Sequence, residues 1–224
     1  MSRVVKLLNT KPLKFLDCFA GLGGASEGFA REGFDCTGIE IDPKIAELYP
    51  YKVIVADMLE LDGKDFKGYD VVWGSPPCRD FSQIGTLYGK RWKNPPNPEK
   101  GLKLIKYFLN FVAAAEPKIW IMENVALLKK YFKELEPRTE GYITYGKRHV
   151  FYGNYPLFLM PRDMRIKVRT KSKTGRDTAK GSCKMIGNRK LSSWQNAKIP
   201  LTCSLAFAKA CKRKLLENMS NQKS

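Results

Sequence analysis

The stretch LKFLDCFAGLGG, residues 13–24, constrains the fold more than any other part of the chain. A short apolar run ends in an acid and turns at once through closely spaced glycines into a helical pattern, residues 25–32, closed by Gly33. A strand that feeds a glycine turn and a helix is the opening unit of a βαβ fold. The same grammar then recurs. Residues 34–41 (FDCTGIEI) read as a second strand, after which Asp42-Pro43 opens another helix. Residues 52–55 form a third strand that ends at Ala56-Asp57, and residues 69–74 (YDVVWG) a fourth that runs into Ser75-Pro76-Pro77-Cys78. Residues 99–115 place Leu102, Ile105, Phe108, Leu109 and Val112 at helical spacing, and Pro117 begins a buried strand, 118–122, that ends at Glu123-Asn124. Strands that alternate with helices predict an α/β fold with a doubly wound, mostly parallel sheet.

Ligands of such sheets sit at the carboxyl ends of the strands. Asp17, Glu40, Asp57, Cys78 and Glu123 all fall there. A glycine turn lets backbone approach a cofactor closely, although any α/β protein uses tight turns. An acid after the second strand accepts both hydroxyls of a ribose, and Asp57 stands where it can accept from an adenine amino group. Each acid alone is weak testimony; in this order they describe a nucleoside pocket. Two prolines fix the backbone before Cys78 and present its side chain rigidly. A thiol held there suits nucleophilic attack, and Glu123 should open into the same cleft.

After Tyr142 the pattern weakens. Residues 142–152 read as one or two strands, and a helix begins after Pro200 (LTCSLAFAKACKRKLLE). The chain therefore divides into a catalytic and cofactor-binding part at 1–153, a small basic recognition region at 154–191 and a returning C-terminal helix at 192–219. Forty Lys and Arg against 22 Asp and Glu give a net charge of +18. Residues 161–190 alone hold eleven basic and two acidic residues, half of that excess. Such concentration is the footprint of a phosphate-backbone binder, and Arg165, Lys167, Arg169, Lys171 and Lys173 are the expected contacts. Few aromatic residues accompany them, which favours backbone contact over base stacking. Lys90 and Lys93 offer a second basic locus.

The six cysteines (Cys18, Cys36, Cys78, Cys183, Cys203, Cys211) include no C-x-x-C pair, and His149 is the only histidine, so no metal site is expected. No apolar stretch approaches the roughly 20 residues that span a bilayer. The start of the chain is broken by Asn9, Lys11, Pro12 and Lys14 and does not read as an export signal. An intracellular protein, most simply a monomer, is expected.

Taken together, LDCFAGLGG (16–24), GIEID (38–42), Asp57, GSPPCRDFSQIG (74–85) and MENV (122–125) resemble the cytosine carbon-5 DNA methyltransferase family, in family order and spacing over about residues 13–130. The resemblance implies the Rossmann-like fold of S-adenosylmethionine-dependent methyltransferases. It implies that Cys78 attacks carbon 6 of a cytosine flipped out of double-stranded DNA, while Glu123 contacts and protonates the ring at N3. S-adenosyl-L-methionine would be held by Asp17, Phe19, Ala20, Gly21, Gly23, Glu40, Ile41, Asp57, Ser75 and Pro76, with Ile41 packed on its adenine. The likeness thins after residue 125. The family's late Gln-x-Arg-x-Arg has its nearest match in Tyr145-Gly146-Lys147-Arg148-His149, without the glutamine, so that Lys147 or Arg148 would supply the cation. The usual Gly-Asn pair before the last helix is replaced by Asn196-Ala197. The short recognition region resembles the reduced methyltransferases of phages and other mobile elements. RNA in place of DNA, or a subunit that binds nucleic acid without catalysing, are the alternatives that these residues leave open.

Overall fold

The computed structural model describes residues 11–81, 96–144, 147–158 and 198–221. A seven-stranded sheet has the order β3-β2-β1-β4-β5-β7-β6. Its strands are β1 (Lys14–Asp17), β2 (Asp35–Glu40), β3 (Lys52–Val55), β4 (Val71–Gly74), β5 (Ile119–Val125), β6 (Thr139–Thr144) and β7 (Lys147–Gly153). β1 to β5 are mutually parallel, whereas β7 runs antiparallel to both β5 and β6. The doubly wound sheet expected from the alternating pattern is therefore present. Residues 139–144 and 147–153 form the two strands of an antiparallel pair.

The apolar runs are continuous because both faces of the sheet are covered. On one face Phe15, Trp73, Ile121 and Phe151 pack with Phe29 of α1 (Gly24–Arg31) and with Cys203, Phe207 and Cys211 of α5 (Leu201–Asn221). On the other, Leu16, Val72, Met122 and Tyr152 pack with Ile105, Phe108 and Phe111 of α3 (Pro98–Ala115). Two short helices, α2 (Pro43–Ala46) and α4 (Leu128–Tyr131), are the other α-helices among the described residues. Local chemistry sets the starts. Asp42 accepts the Lys44 N–H ahead of Pro43, and Asn97 accepts the Lys100 N–H ahead of Pro98, each a side-chain cap before a proline.

α1 and α5 approach so closely that a Cβ on Gly28 would lie 2.3 Å from the carbonyl carbon of Ser204. Any larger residue there must push the helices apart. The strand order reverses between β1 and β4, and the carboxyl ends of these neighbours open the crevice where ligands of such folds bind.

Candidate active site

At the end of β1 the chain turns through Gly21 (φ 50°) and Gly23 (φ 74°), conformations that L side chains rarely adopt. Ala20 N–H donates to the Ile39 carbonyl at 2.9 Å, so the turn leans on β2. Glu40 completes the attachment. Its Oε2 accepts the Gly21 N–H at 2.9 Å and its Oε1 the Asp42 N–H at 3.0 Å, with the side chain buried. Carboxylate oxygens have two lone pairs each, so Glu40 can still meet a ribose. Gly38 makes room beneath the turn; a Cβ there would sit 2.6 Å from both Ala20 Cβ and the Tyr49 ring. Ile41, the next residue after β2, is an apolar side chain left 61% exposed. Asp57 accepts the Leu59 N–H through Oδ1 and is half-buried.

Asp17 is buried beneath this turn. Ser26 Oγ donates to its Oδ2 at 2.9 Å and lies 2.7 Å from the Tyr49 hydroxyl. Oδ1 has no partner among the described residues. Burial pushes the Asp17 carboxyl up to about 7, against the opposing pull of the Ser26 hydrogen bond. Ser26 and Tyr49 are contributions that the sequence pattern does not announce, because their link to Asp17 exists only once α1 and the segment after α2 fold back. The donor set suits a cationic nucleoside. It combines acids at successive strand ends, an orphaned buried carboxyl oxygen, a glycine turn and an exposed apolar side chain.

β4 ends opposite Met122, so Glu123 and Asn124 extend past it beside residues 75–78. The reading that ended the fifth strand at residue 122 is corrected here. β5 continues through Val125 because β7 supplies antiparallel partners, with Glu123 opposite Phe151 and Asn124 opposite Val150. Ser75 Oγ accepts the Trp73 indole N–H at 2.8 Å, and the Pro76 carbonyl accepts Asn124 Nδ2 at 3.0 Å. Cys78 then starts a single 3₁₀ turn, Cys78–Phe81, that is anchored by buried Phe81 beneath Gly101 and Tyr131. Cys78 is exposed, whereas Cys18, Cys36, Cys203 and Cys211 are buried. Burial pushes Cys36 and Cys211 up to about 12, and Cys18 and Cys203 upward as well, so none of these four is suited to act as a thiolate.

Glu123 is 6% exposed and its Oε1 is hydrogen-bonded to Nδ1 of His149, which ends the late-motif match but to which the sequence reading assigns no role. Only the antiparallel pairing of β5 with β7 brings them together. Lys147 and Arg148 belong to β7, opposite Thr144 and Tyr142, and their side chains lie outside the described set. Lys90, Lys93, Arg165, Lys167, Arg169, Lys171, Lys173 and Asn196-Ala197 lie outside the described residues altogether, as does the proposed recognition region beyond Phe158. No cluster of metal-ligating side chains occurs among the described residues, and no described helix is long and apolar enough to cross a membrane.

The chain is 33% identical over 134 residues to the type II methyltransferase M1.HphI of Haemophilus parahaemolyticus, covering 54% of this chain and 35% of that one. It is 32% identical over 147 residues to a probable DNA (cytosine-5)-methyltransferase of Frog virus 3 (isolate Goorha), covering 60% and 64%. With the type II methyltransferase M.AplI of Arthrospira platensis the identity is 37% over 117 residues, 50% of this chain and 31% of the relative. The chain thus spans between about a third and two thirds of the length of these curated relatives. The family model described as C-5 cytosine-specific DNA methylase matches residues 13–139, which hold β1 to β5, the glycine turn, Cys78 and Glu123. Through that match over more than half its length, the chain belongs to the C-5 cytosine-specific DNA methylase family.

Proposed function

We propose that this protein methylates carbon 5 of cytosine in double-stranded DNA with S-adenosyl-L-methionine as donor. The observation that carries the reading is the convergence at the carboxyl ends of neighbouring interior strands of an exposed Cys78, the buried Glu123 and the turn-and-acid crevice. Family membership supports the substrate class. When bound, S-adenosyl-L-methionine supplies an electrophilic methyl group. Asp17, Phe19, Ala20, Gly21, Gly23, Glu40, Ile41, Asp57, Ser75 and Pro76 hold and orient it.

Carbon 5 of cytosine is a weak nucleophile until the ring loses its aromatic character. The Cys78 thiolate adds to carbon 6, forming the C–S bond and breaking the 5,6 double bond, while Glu123 delivers a proton to N3. Carbon 5 thereby gains the electron pair that takes the methyl group. Loss of the carbon 5 proton to a base then restores the double bond and expels Cys78. None of these atoms is reachable inside a duplex, so the nucleotide is extruded into the crevice. Lys147 or Arg148 supplies a cation beside the base, and the basic residues of 161–190, Arg165, Lys167, Arg169, Lys171 and Lys173 among them, contact phosphates. Bisulfite sequencing of DNA from cells that express the protein tests the reading. Methylated cytosines in a recurrent sequence context are expected with wild type and absent with Cys78→Ser; unmethylated DNA in both contradicts it.

A further inference from the structure

Glu123 has three side-chain torsions, and the proposed chemistry needs one of its two oxygens at hydrogen-bond reach of N3. Within the protein its Oε1 meets His149 Nδ1. His149 is itself buried, 9% exposed, and its Nε2 is a buried atom with no partner among the described residues. A histidine set in the sheet with one nitrogen on a carboxylate and the other without a partner among the described residues is poorly explained as a packing residue, since an unpartnered buried polar atom costs free energy. Among the described residues, the neighbours leave Glu123 little else to hold it. Gly141, opposite His149 on β6, has no side chain, and Val125, opposite on β5, is apolar. On α5, Cys203 is kept a neutral thiol, pushed up first by burial and then by the Glu123 charge.

We infer that His149 is the positioning residue for Glu123, and that its Nδ1–H donates to Oε1 so that the transferable proton is carried on Oε2. The inference rests on the methyl-transfer reading above. With Oε1 committed as an acceptor, the carboxylic acid O–H is confined to the other oxygen. As that proton passes from Oε2 to N3, the electron pair of the O–H bond stays on the carboxylate. The Nδ1–H bond persists and strengthens, because a hydrogen bond to an ionised acceptor is stronger than one to a neutral one. His149 thus selects the oxygen, fixes its direction and stabilises the carboxylate left behind, without touching the base.

The test compares His149→Phe, which keeps a ring and removes the donor, with His149→Asn, whose amide N–H falls near the place of Nδ1. The probe is a mixed-sequence duplex, with single-turnover methyl transfer measured at saturating S-adenosyl-L-methionine. His149→Phe is expected to lose on the order of 10- to 100-fold in the rate constant, with cofactor affinity unchanged, and His149→Asn to recover most of it. A wild-type rate in His149→Phe, or an equal loss in both variants, overturns the positioning role. If His149→Phe fails to fold, His149→Gln takes its place, because its amide lies near Nε2 instead; activity in Asn but not Gln supports the role, and equal activity overturns it. The same duplex containing 5-fluorocytosine separates the two levels. Absence of a covalent adduct with wild type contradicts the methyl-transfer reading itself. An adduct formed equally fast by wild type and His149→Phe contradicts only the role of His149.

Discussion

Asn124 holds the loop that leads into Cys78: its Nδ2 donates to the Pro76 carbonyl at 3.0 Å, and its Oδ1 accepts the N–H of Val125 at 2.9 Å. The side chain is fully buried, so β5 and the loop that presents Cys78 are joined by a bond shielded from water. Adjacent positions of β5 thus face different partners, Glu123 meeting His149 and Asn124 the backbone two residues before the thiol.

Asn124→Ala should detach that loop. The Pro76 carbonyl loses its donor, at a cost of about 1–3 kcal/mol in stability. Because Cys78 lies two residues further on, methyl transfer should fall by more than cofactor binding does. Thermal melts, isothermal calorimetry with S-adenosyl-L-methionine and a single-turnover assay check the three parts. Equal loss of binding and rate would contradict a role confined to the loop.

Asp17 makes stability depend on pH. Its folded carboxyl titrates at about 7 because burial disfavours the charge, whereas an unfolded aspartate ionises near 4. The folded state thus keeps a proton that the unfolded chain has released. The associated stability is complete below about pH 4 and is lost as pH rises through about 7, in all on the order of 4 kcal/mol. Asp17→Asn removes this titration. Melting temperatures of wild type and Asp17→Asn, taken from about pH 5 to about pH 8, should show the mutant gaining on wild type as pH rises. A difference that does not vary with pH would contradict the assignment.

The cofactor acids should separate in their effects. Asp57→Ala removes a half-buried side chain that caps one turn, so its main expected effect is weaker S-adenosyl-L-methionine binding, on the order of 10- to 100-fold. Glu40→Ala should weaken binding comparably and also lower the melting temperature, because Gly21 and Asp42 both lose their acceptor. Calorimetry and melts on both variants check this, and unchanged affinity in both would contradict the crevice as the cofactor site.

Much of this was legible in the residue order, for physical reasons. Parallel strands covered on both faces must be apolar throughout, so the runs around Phe15, Ile39, Val72 and Ile121 stand out. The residues that end such runs have no core to fill, and for that reason Asp17, Glu40, Asp57 and Cys78 declared themselves. What the sequence concealed depends on contacts between distant segments. The extension of β5 past Met122 requires β7 to be antiparallel, and the His149–Glu123 pair follows from that register alone. The Ser26 and Tyr49 hydroxyls near Asp17 are ordinary residues of a helix and a loop until the fold brings them together. The bonds that Glu40 makes to the glycine turn are likewise invisible in a strand-end acid.

Covalent capture tests the central claim most directly. A duplex with 5-fluorocytosine in place of cytosine retains fluorine where the departing proton should be, so the thiol cannot leave once the methyl group has been added. Incubated with S-adenosyl-L-methionine and resolved under denaturing conditions, wild-type protein is predicted to form a DNA-linked species whose attachment maps to Cys78, and Cys78→Ser to form none. A wild-type protein that methylates without forming this adduct, or a Cys78→Ser protein that forms it, would contradict the account.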